Sequence, residues 1–172
     1  MNWPTRSIAE ATAALTADGA PFAMREEMVG GQRMRTYVET PDTMRRVIDN
    51  SRSFGEREFL VYDAKHISFD AHWRAVQTLG RTLATDFCVG KGDRVAVAMR
   101  NYPEWSVCAF AAMTIGAIFV PLNAWESGAN LASMIARSGS KVVIVDHERR
   151  DRIADLAPDV QFVTARRGAG PG

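Results

Sequence analysis

The chain has 172 residues, 47% of them apolar and 24% charged, which is the composition of one ordinary globular domain able to bury roughly 70% of its unfolded surface. A formal net charge of +1, with arginines paired only as Arg45-Arg46, Arg149-Arg150 and Arg166-Arg167, excludes electrostatic attraction to nucleic acid or to an anionic membrane. Those pairs read as solvated faces.

The opening residues, MNWPTRSIAE, lack an apolar core of signal-peptide length. The longest apolar-rich run, Val107 to Leu122, is broken by Thr114 and Gly116 and falls short of the roughly 18 residues of a membrane span. Cys88 and Cys108 lie in apolar surroundings without metal-like spacing and read as reduced, buried thiols. Together these features predict a cytoplasmic protein with no transmembrane segment and no nucleic-acid partner.

In chain order, Ser7 and Glu10 have capping-box spacing and predict a helix through Ala17, closed by Gly19. The stretch FAMREEMVGGQRMRTYV predicts two strands around Gly30-Gly31. Thr40-Pro41 offers a cap and a first-turn proline for a helix with Met44, Val47 and Ile48 on one face, ended by Gly55. A second hairpin is expected from Phe59–Tyr62 against His66–Phe69, turning at Ala64-Lys65. A helix from Asp70 to Phe87 follows, with Trp73, Val76, Leu79, Leu83 and Phe87 along one stripe.

After Gly90 the rhythm changes. RVAVAM, IFVP, KVVIVD and VQFVT are apolar runs of strand length, separated by helical patterns at Glu104–Ile115, Ser127–Arg137 and Glu148–Leu156. Strand and helix alternating in this way predict a parallel sheet with right-handed crossovers. The fold class is therefore α/β. An α+β lead-in over residues 1–90 precedes part of a doubly wound parallel sheet over 91–165, and RRGAGPG, 166–172, reads as a disordered tail.

Ligands of such sheets bind outside the carboxyl ends of the strands, here Arg100 and Asn101, then Leu122, Asn123 and Trp125, then Asp146 and His147. No nucleophile–base pair can be named among them, and His66, His72 and His147 are too far apart in sequence to suggest a metal site. VGKGDRVAV and RSGSKVVIV imitate phosphate loops, but each runs from a helix into a strand, the wrong polarity for a helix N-terminus to face an anion. They read as a helix-capping glycine and a turn. No GxGxxG occurs, so a nicotinamide or flavin site has no support.

The order of the segments carries more. ISFDAHWRAVQTLGRTLA, then VGKGDRVAVAMRNYPEWSVCAFAAMTIGAIFVPLNAW, then SGSKVVIVD resembles the beginning of an adenylate-forming enzyme, more narrowly of the AMP-forming acyl-CoA synthetases (fatty-acid–CoA ligases). The residues before them resemble the lead-in of bacterial members, so the likeness runs from about Ser7 to Thr164. Within it, MTIGAIFVPLN is similar to a largely structural core motif, which implies that Gly116 turns the chain, Pro121 stops the strand, and Asn123 and Trp125 are candidate cleft neighbours.

The resemblance implies ATP, Mg²⁺ and CoA as the family's cofactors and a fatty or other carboxylic acid as substrate. The family's phosphate loop, ribose-gripping acid, magnesium-binding glutamate and C-terminal lysine have no counterpart in the sequence. No catalytic residue and no metal ligand is therefore carried over, and the domain is expected to be incomplete relative to the family's. The chain is expected to lack ligase activity alone, to bind none of those cofactors tightly, and to self-associate through apolar surface around Glu104–Ile115. The alternative is a stand-alone, non-catalytic binding or interaction module built on the same fold.

Overall fold

A computed structural model describes residues 5–166. The chain divides into two compact units, one up to Asp42 and the other from Thr43 onward. In the first, helix α1 (Ile8–Thr16) opens with the expected capping box, Glu10 N–H donating to Ser7 Oγ at 3.2 Å while Glu10 Oε2 accepts from Ser7 N at 2.8 Å. Strands β1 (Met24–Val29) and β2 (Gln32–Tyr37) form an antiparallel hairpin in which Met24 faces Tyr37 and Val29 faces Gln32. Gly30 and Gly31, at φ 57° and 82°, take the two left-handed positions that a tight hairpin turn demands.

The second unit begins with α2 (Met44–Asn50), whose cap is Thr43 rather than Thr40. The reason is local: Thr43 is extended and its hydroxyl accepts from Arg46 N–H three residues on, so the helix starts where that acceptor stands. The helix tightens into a 3-10 turn at Ser51–Phe54, and Gly55 ends it as expected. The next hairpin pairs β3 (Glu58–Tyr62) with β4 (Lys65–Ser68) and turns at Asp63-Ala64, one residue earlier than expected. Asp63 takes φ 51°, a conformation aspartate tolerates in turns better than most residues.

Helix α3 (Phe69–Thr85) is capped by Ser68 and buries His72, Val76, Gly80 and Leu83. Trp73, Leu79 and Phe87 of the expected stripe flank that line, packed against the same core. The strands β5 (Arg94–Ala98), β6 (Ile118–Pro121), β7 (Val142–Asp146) and β8 (Gln161–Ala165) all run parallel in the order β6-β5-β7-β8. Between them run α4 (Pro103–Thr114), α5 (Gly128–Ser138) and α6 (His147–Ile153). The last helix stops short of the expected Leu156, because Leu156 N–H bonds the Ile153 carbonyl three residues back and closes the end as a turn.

Alternate residues of the two central strands feed two cores. Val95, Val97, Val142 and Ile144 pack under α2, α3 and α4, while Ala96, Ala98, Val143 and Val145 pack against Leu131 and Ile135 of α5 and Ile153 of α6. Helices therefore cover both faces, which is why β7 is buried at every position and apolar up to its last residue, Asp146. Each fully buried valine or isoleucine contributes roughly 1.5–3 kcal/mol by transfer from water.

Two expectations change here. From Trp105 to Ile115 no residue of the α4 segment is exposed, although six of the eleven are only partly buried, so the chain itself covers more of this helix than its all-round apolar sequence suggests. Cys88 is exposed, at φ 52° in the connection after α3, whereas Cys108 on α4 is buried as expected. Burial, with the Glu104 charge adding to it, pushes the Cys108 thiol up to about 12. Of the tail read as disordered, 167–172 lies outside the described residues, while Arg166 is described and its Nε donates to Glu104 Oε1 at 3.0 Å.

Candidate functional site

Strand β5 leads out to β6 on one side and β7 leads out to β8 on the other, so the strand order reverses between the carboxyl ends of β5 and β7. A crevice outside such a reversal is where open α/β sheets bind ligands. A cavity of about 690 Å³ opens at this edge, floored by Met99, Arg100 and Asn101 after β5 and by Pro121 to Trp125 at the end of β6. Tyr62, Tyr102 and Trp105 form its aromatic wall.

Both candidate cleft neighbours line this cavity. Trp125 is 69% exposed, and the Arg100 guanidinium lies 4.2 Å over its ring, a cation–π stack at the mouth. Arg166 does the same to Tyr102, at 4.1 Å. Asn123 is occupied locally: its Oδ1 accepts from Trp125 N–H at 3.1 Å and its Nδ2 donates to Glu126 Oε1 at 3.1 Å. That pair of bonds folds the loop after β6, so Asn123 shapes the wall.

The motif residues around β6 have legible mechanical roles. Gly116 sits at φ 80°, where its carbonyl accepts from Gly92 N–H at 3.0 Å; a side chain there would be strained and would press on Lys91. Pro121 closes β6 opposite Val97, on an edge strand where its missing N–H leaves no central ladder broken. Leu122 N–H then bonds the Val97 carbonyl at 2.9 Å.

Behind the cavity lies a residue that sequence reasoning placed on a solvated face. Arg149 is 1% exposed. Its Nε donates to the Ala124 carbonyl at 2.8 Å, and its Nη1 to Asp146 Oδ2 at 3.1 Å and Glu148 Oε2 at 2.8 Å. Asp146 in turn caps α6 by accepting from Arg149 N–H at 3.0 Å, and takes Arg100 N–H at 3.2 Å across the reversal. One buried pair thus ties together the ends of β5, β6 and β7. The available signal was an aspartate closing an apolar strand with arginine three residues on; the partner that buries the arginine, Ala124, is 25 residues away in the chain.

His147 stays at the surface beside Asp151, and His66 and His72 lie elsewhere, so the histidines are not brought together. Among the described residues no group of three His, Cys, Asp or Glu could hold a metal ion. The glycine segments resolve as a turn at Gly90–Asp93 entering β5 and as a left-handed Gly139 closing α5, with no strand-to-helix phosphate cradle. The cavity lining carries no Ser, Cys, His, Asp, Glu or Lys. It can bind and orient a planar or anionic group through Arg100 and the aromatic rings. Its only groups able to move a proton are the phenols of Tyr62 and Tyr102, and with no carboxylate and no lysine in the lining the residues present do not fit a magnesium–triphosphate site.

Residues 47–168 match the model of the AMP-binding enzyme family. A crotonobetaine/carnitine–CoA ligase of Salmonella paratyphi B is 27% identical over 122 residues, covering 69% of this chain and 22% of that protein. The chain therefore spans about a fifth of the length of the curated relatives it matches. Among solved structures, the Klebsiella oxytoca NpsA N-terminal subdomain in complex with 3-hydroxyanthranilyl-AMSN superimposes with a TM-score of 0.66 at 23% identity, over 76% of this chain and 33% of that one. A benzoate CoA ligase from Burkholderia xenovorans LB400 gives a TM-score of 0.68 at 13% identity, over 73% and 26% of the two chains. These likenesses carry the fold. The family match covers well over half of the sequence, and the chain belongs to the AMP-binding enzyme family.

Proposed function

We propose that this chain is the N-terminal portion of an ATP-dependent acid–CoA ligase, with residues 91–165 supplying the first part of its activating sheet. The parent reaction joins a fatty or other carboxylic acid to AMP with loss of pyrophosphate and then passes the acyl group to CoA. The 172 residues alone do not catalyse it. The observation that carries this reading is the cavity at the strand-order reversal: it is backed by Arg149 and lined by binding groups, yet its lining carries no Ser, Cys, His, Asp, Glu or Lys, and the phenols of Tyr62 and Tyr102 are its only groups able to move a proton. Phosphoryl chemistry rests on positioned Lys, Arg and Mg²⁺, which contribute many powers of ten in rate. The chain spans about a fifth of its curated relatives, and the proposal assigns those groups to the rest of the parent enzyme.

Equilibrium dialysis of the purified chain against ATP and Mg²⁺ tests the binding half of the proposal. The expected result is no saturable binding at micromolar nucleotide; a saturable micromolar site would sink it.

The working location is the cytoplasm, where ATP and CoA are available. Among the described residues no helix is long and apolar enough to cross a membrane. Self-association is also proposed, through the β6 edge, where Ile118 at the start of the strand is 47% exposed and Trp125, in the loop after its end, is 69% exposed. Sedimentation velocity should give species heavier than 19.0 kDa at tens of micromolar protein, and a monomer throughout would count against this contact.

A second reading, a non-catalytic binding module that stands alone, is favoured by one observation. Helix α4 has no exposed residue from Trp105 to Ile115, and the sheet has an apolar core on each face built from this chain's own residues.

A further inference from the structure

A second cavity lies away from the carboxyl edge of the sheet, among α2, the 3-10 turn, β3, α3 and α4. It measures about 380 Å³, within the span of roughly 300–1,000 Å³ over which small-molecule pockets fall. Its wall is a continuous run of rings. Phe54 and Phe69 have centroids 4.8 Å apart, Phe69 and Phe59 4.6 Å, Phe59 and the His72 imidazole 4.6 Å, and His72 and Phe110 5.8 Å. Val47 and Ile48 of α2 complete it.

Apart from the exposed Asn50 at its rim, the polar side chains of this wall are engaged with the protein itself. The Ser51 hydroxyl donates to the Ile48 carbonyl at 2.6 Å and the Ser53 hydroxyl to the Asn50 carbonyl at 2.9 Å. His72, 1% exposed, has its Nε2 3.0 Å from Ser106 Oγ. Burial holds its pKa below the usual histidine range, so the ring faces the cavity neutral at physiological pH. No Asp, Glu, Lys or Arg lines the space.

Such a wall discriminates by what it lacks. A carboxylate, a phosphate or a peptide backbone placed deep in it would lose its water without gaining a partner, which disfavours its entry. An apolar ring loses nothing of the kind, and cavities lined by Ile and Phe stay dry and take up benzene-like molecules. Tilted and edge-on rings also present both faces and edges to an incoming ring, the geometry aromatic pairs prefer.

We propose that this cavity is a binding site for an uncharged aromatic small molecule of one or two rings, with any polar substituent directed outward past Phe54 and the exposed Asn50. The site is independent of the acid-activating reading, since it shares no residue with the cavity at the strand ends.

The probe is 2-naphthalenemethanol, titrated into the full chain and followed by saturation-transfer NMR. The proposal predicts saturable binding in the wild type that weakens about tenfold or more in Val47→Phe, where a ring fills the space; a tenfold change corresponds to about 1.4 kcal/mol. No saturable binding, or equal binding by a folded Val47→Phe, overturns it. Should that variant fail to fold by circular dichroism, intermolecular Overhauser contacts in the wild type decide. Contacts from the probe to the ring protons of Phe54, Phe59 and Phe110 support the site, and contacts confined to other residues overturn it.

Discussion

A fully buried guanidinium survives only where its charge is answered, and Arg149 is answered by Asp146, by Glu148 and by the Ala124 carbonyl. Removing it would strand the Asp146 carboxylate, itself 4% exposed, beside a broken tie to the loop at Asn123–Trp125. Arg149→Leu is therefore expected to lower unfolding free energy by about 3–5 kcal/mol, the usual cost of breaking one side of a buried pair. Urea unfolding measures it, and a loss under 1 kcal/mol would mean that the pair is peripheral. The Asp146–Arg149 spacing was legible in the sequence but the burial was not, because Arg149-Arg150 looks like a charged helix surface and its burial depends on a distant carbonyl. Cys88 was misread for a related reason. Apolar neighbours in sequence do not fix where a residue at positive φ points. Asn123 and Trp125 could be picked out because they follow a strand end, a position that chain order alone defines.

The elements themselves were largely readable. Four apolar runs became the four parallel strands, since residues buried on both faces need no polar alternation. What could not be read were contacts between elements. Gly128 opens α5 against the end of α6, and a methyl group there would run into the Arg152 carbonyl and crowd Leu156. Gly116 has left-handed backbone but meets only the flexible Lys91 side chain on its far side. Gly128→Ala should accordingly cost about 1–3 kcal/mol by forcing the two helices apart. Gly116→Ala should cost about 1–2 kcal/mol through backbone strain alone. Thermal unfolding of the two variants, with helix content by circular dichroism, separates the causes. An unchanged Gly128→Ala would show that α5 and α6 are not in close contact. The cap at Thr43 and the turn at Asp63-Ala64 moved by a few residues for the same kind of reason. Several residues near each boundary can serve, and the one with the best local hydrogen bond or left-handed tolerance takes the role.

At the scale of the molecule, the order of segments identified the family before any single motif did, and the fold agrees with it through TM-scores of 0.66 and 0.68. The sheet places its carboxyl edge, its strand-order reversal and a cavity of about 690 Å³ in one location, so the frame for a ligand is present. Chemistry is a separate matter. The lining offers arginine, amide and aromatic groups that bind, with the phenols of Tyr62 and Tyr102 as its only proton-bearing hydroxyls and no carboxylate, imidazole, thiol or lysine beside them. The most direct test is exchange of label between pyrophosphate and ATP, catalysed by the purified 172-residue chain with Mg²⁺ and a panel of carboxylic acids, fatty acids included. The account predicts no exchange above the enzyme-free blank with any acid. Acid-dependent exchange that survives repurification would mean these residues build an adenylating site themselves, and would contradict it.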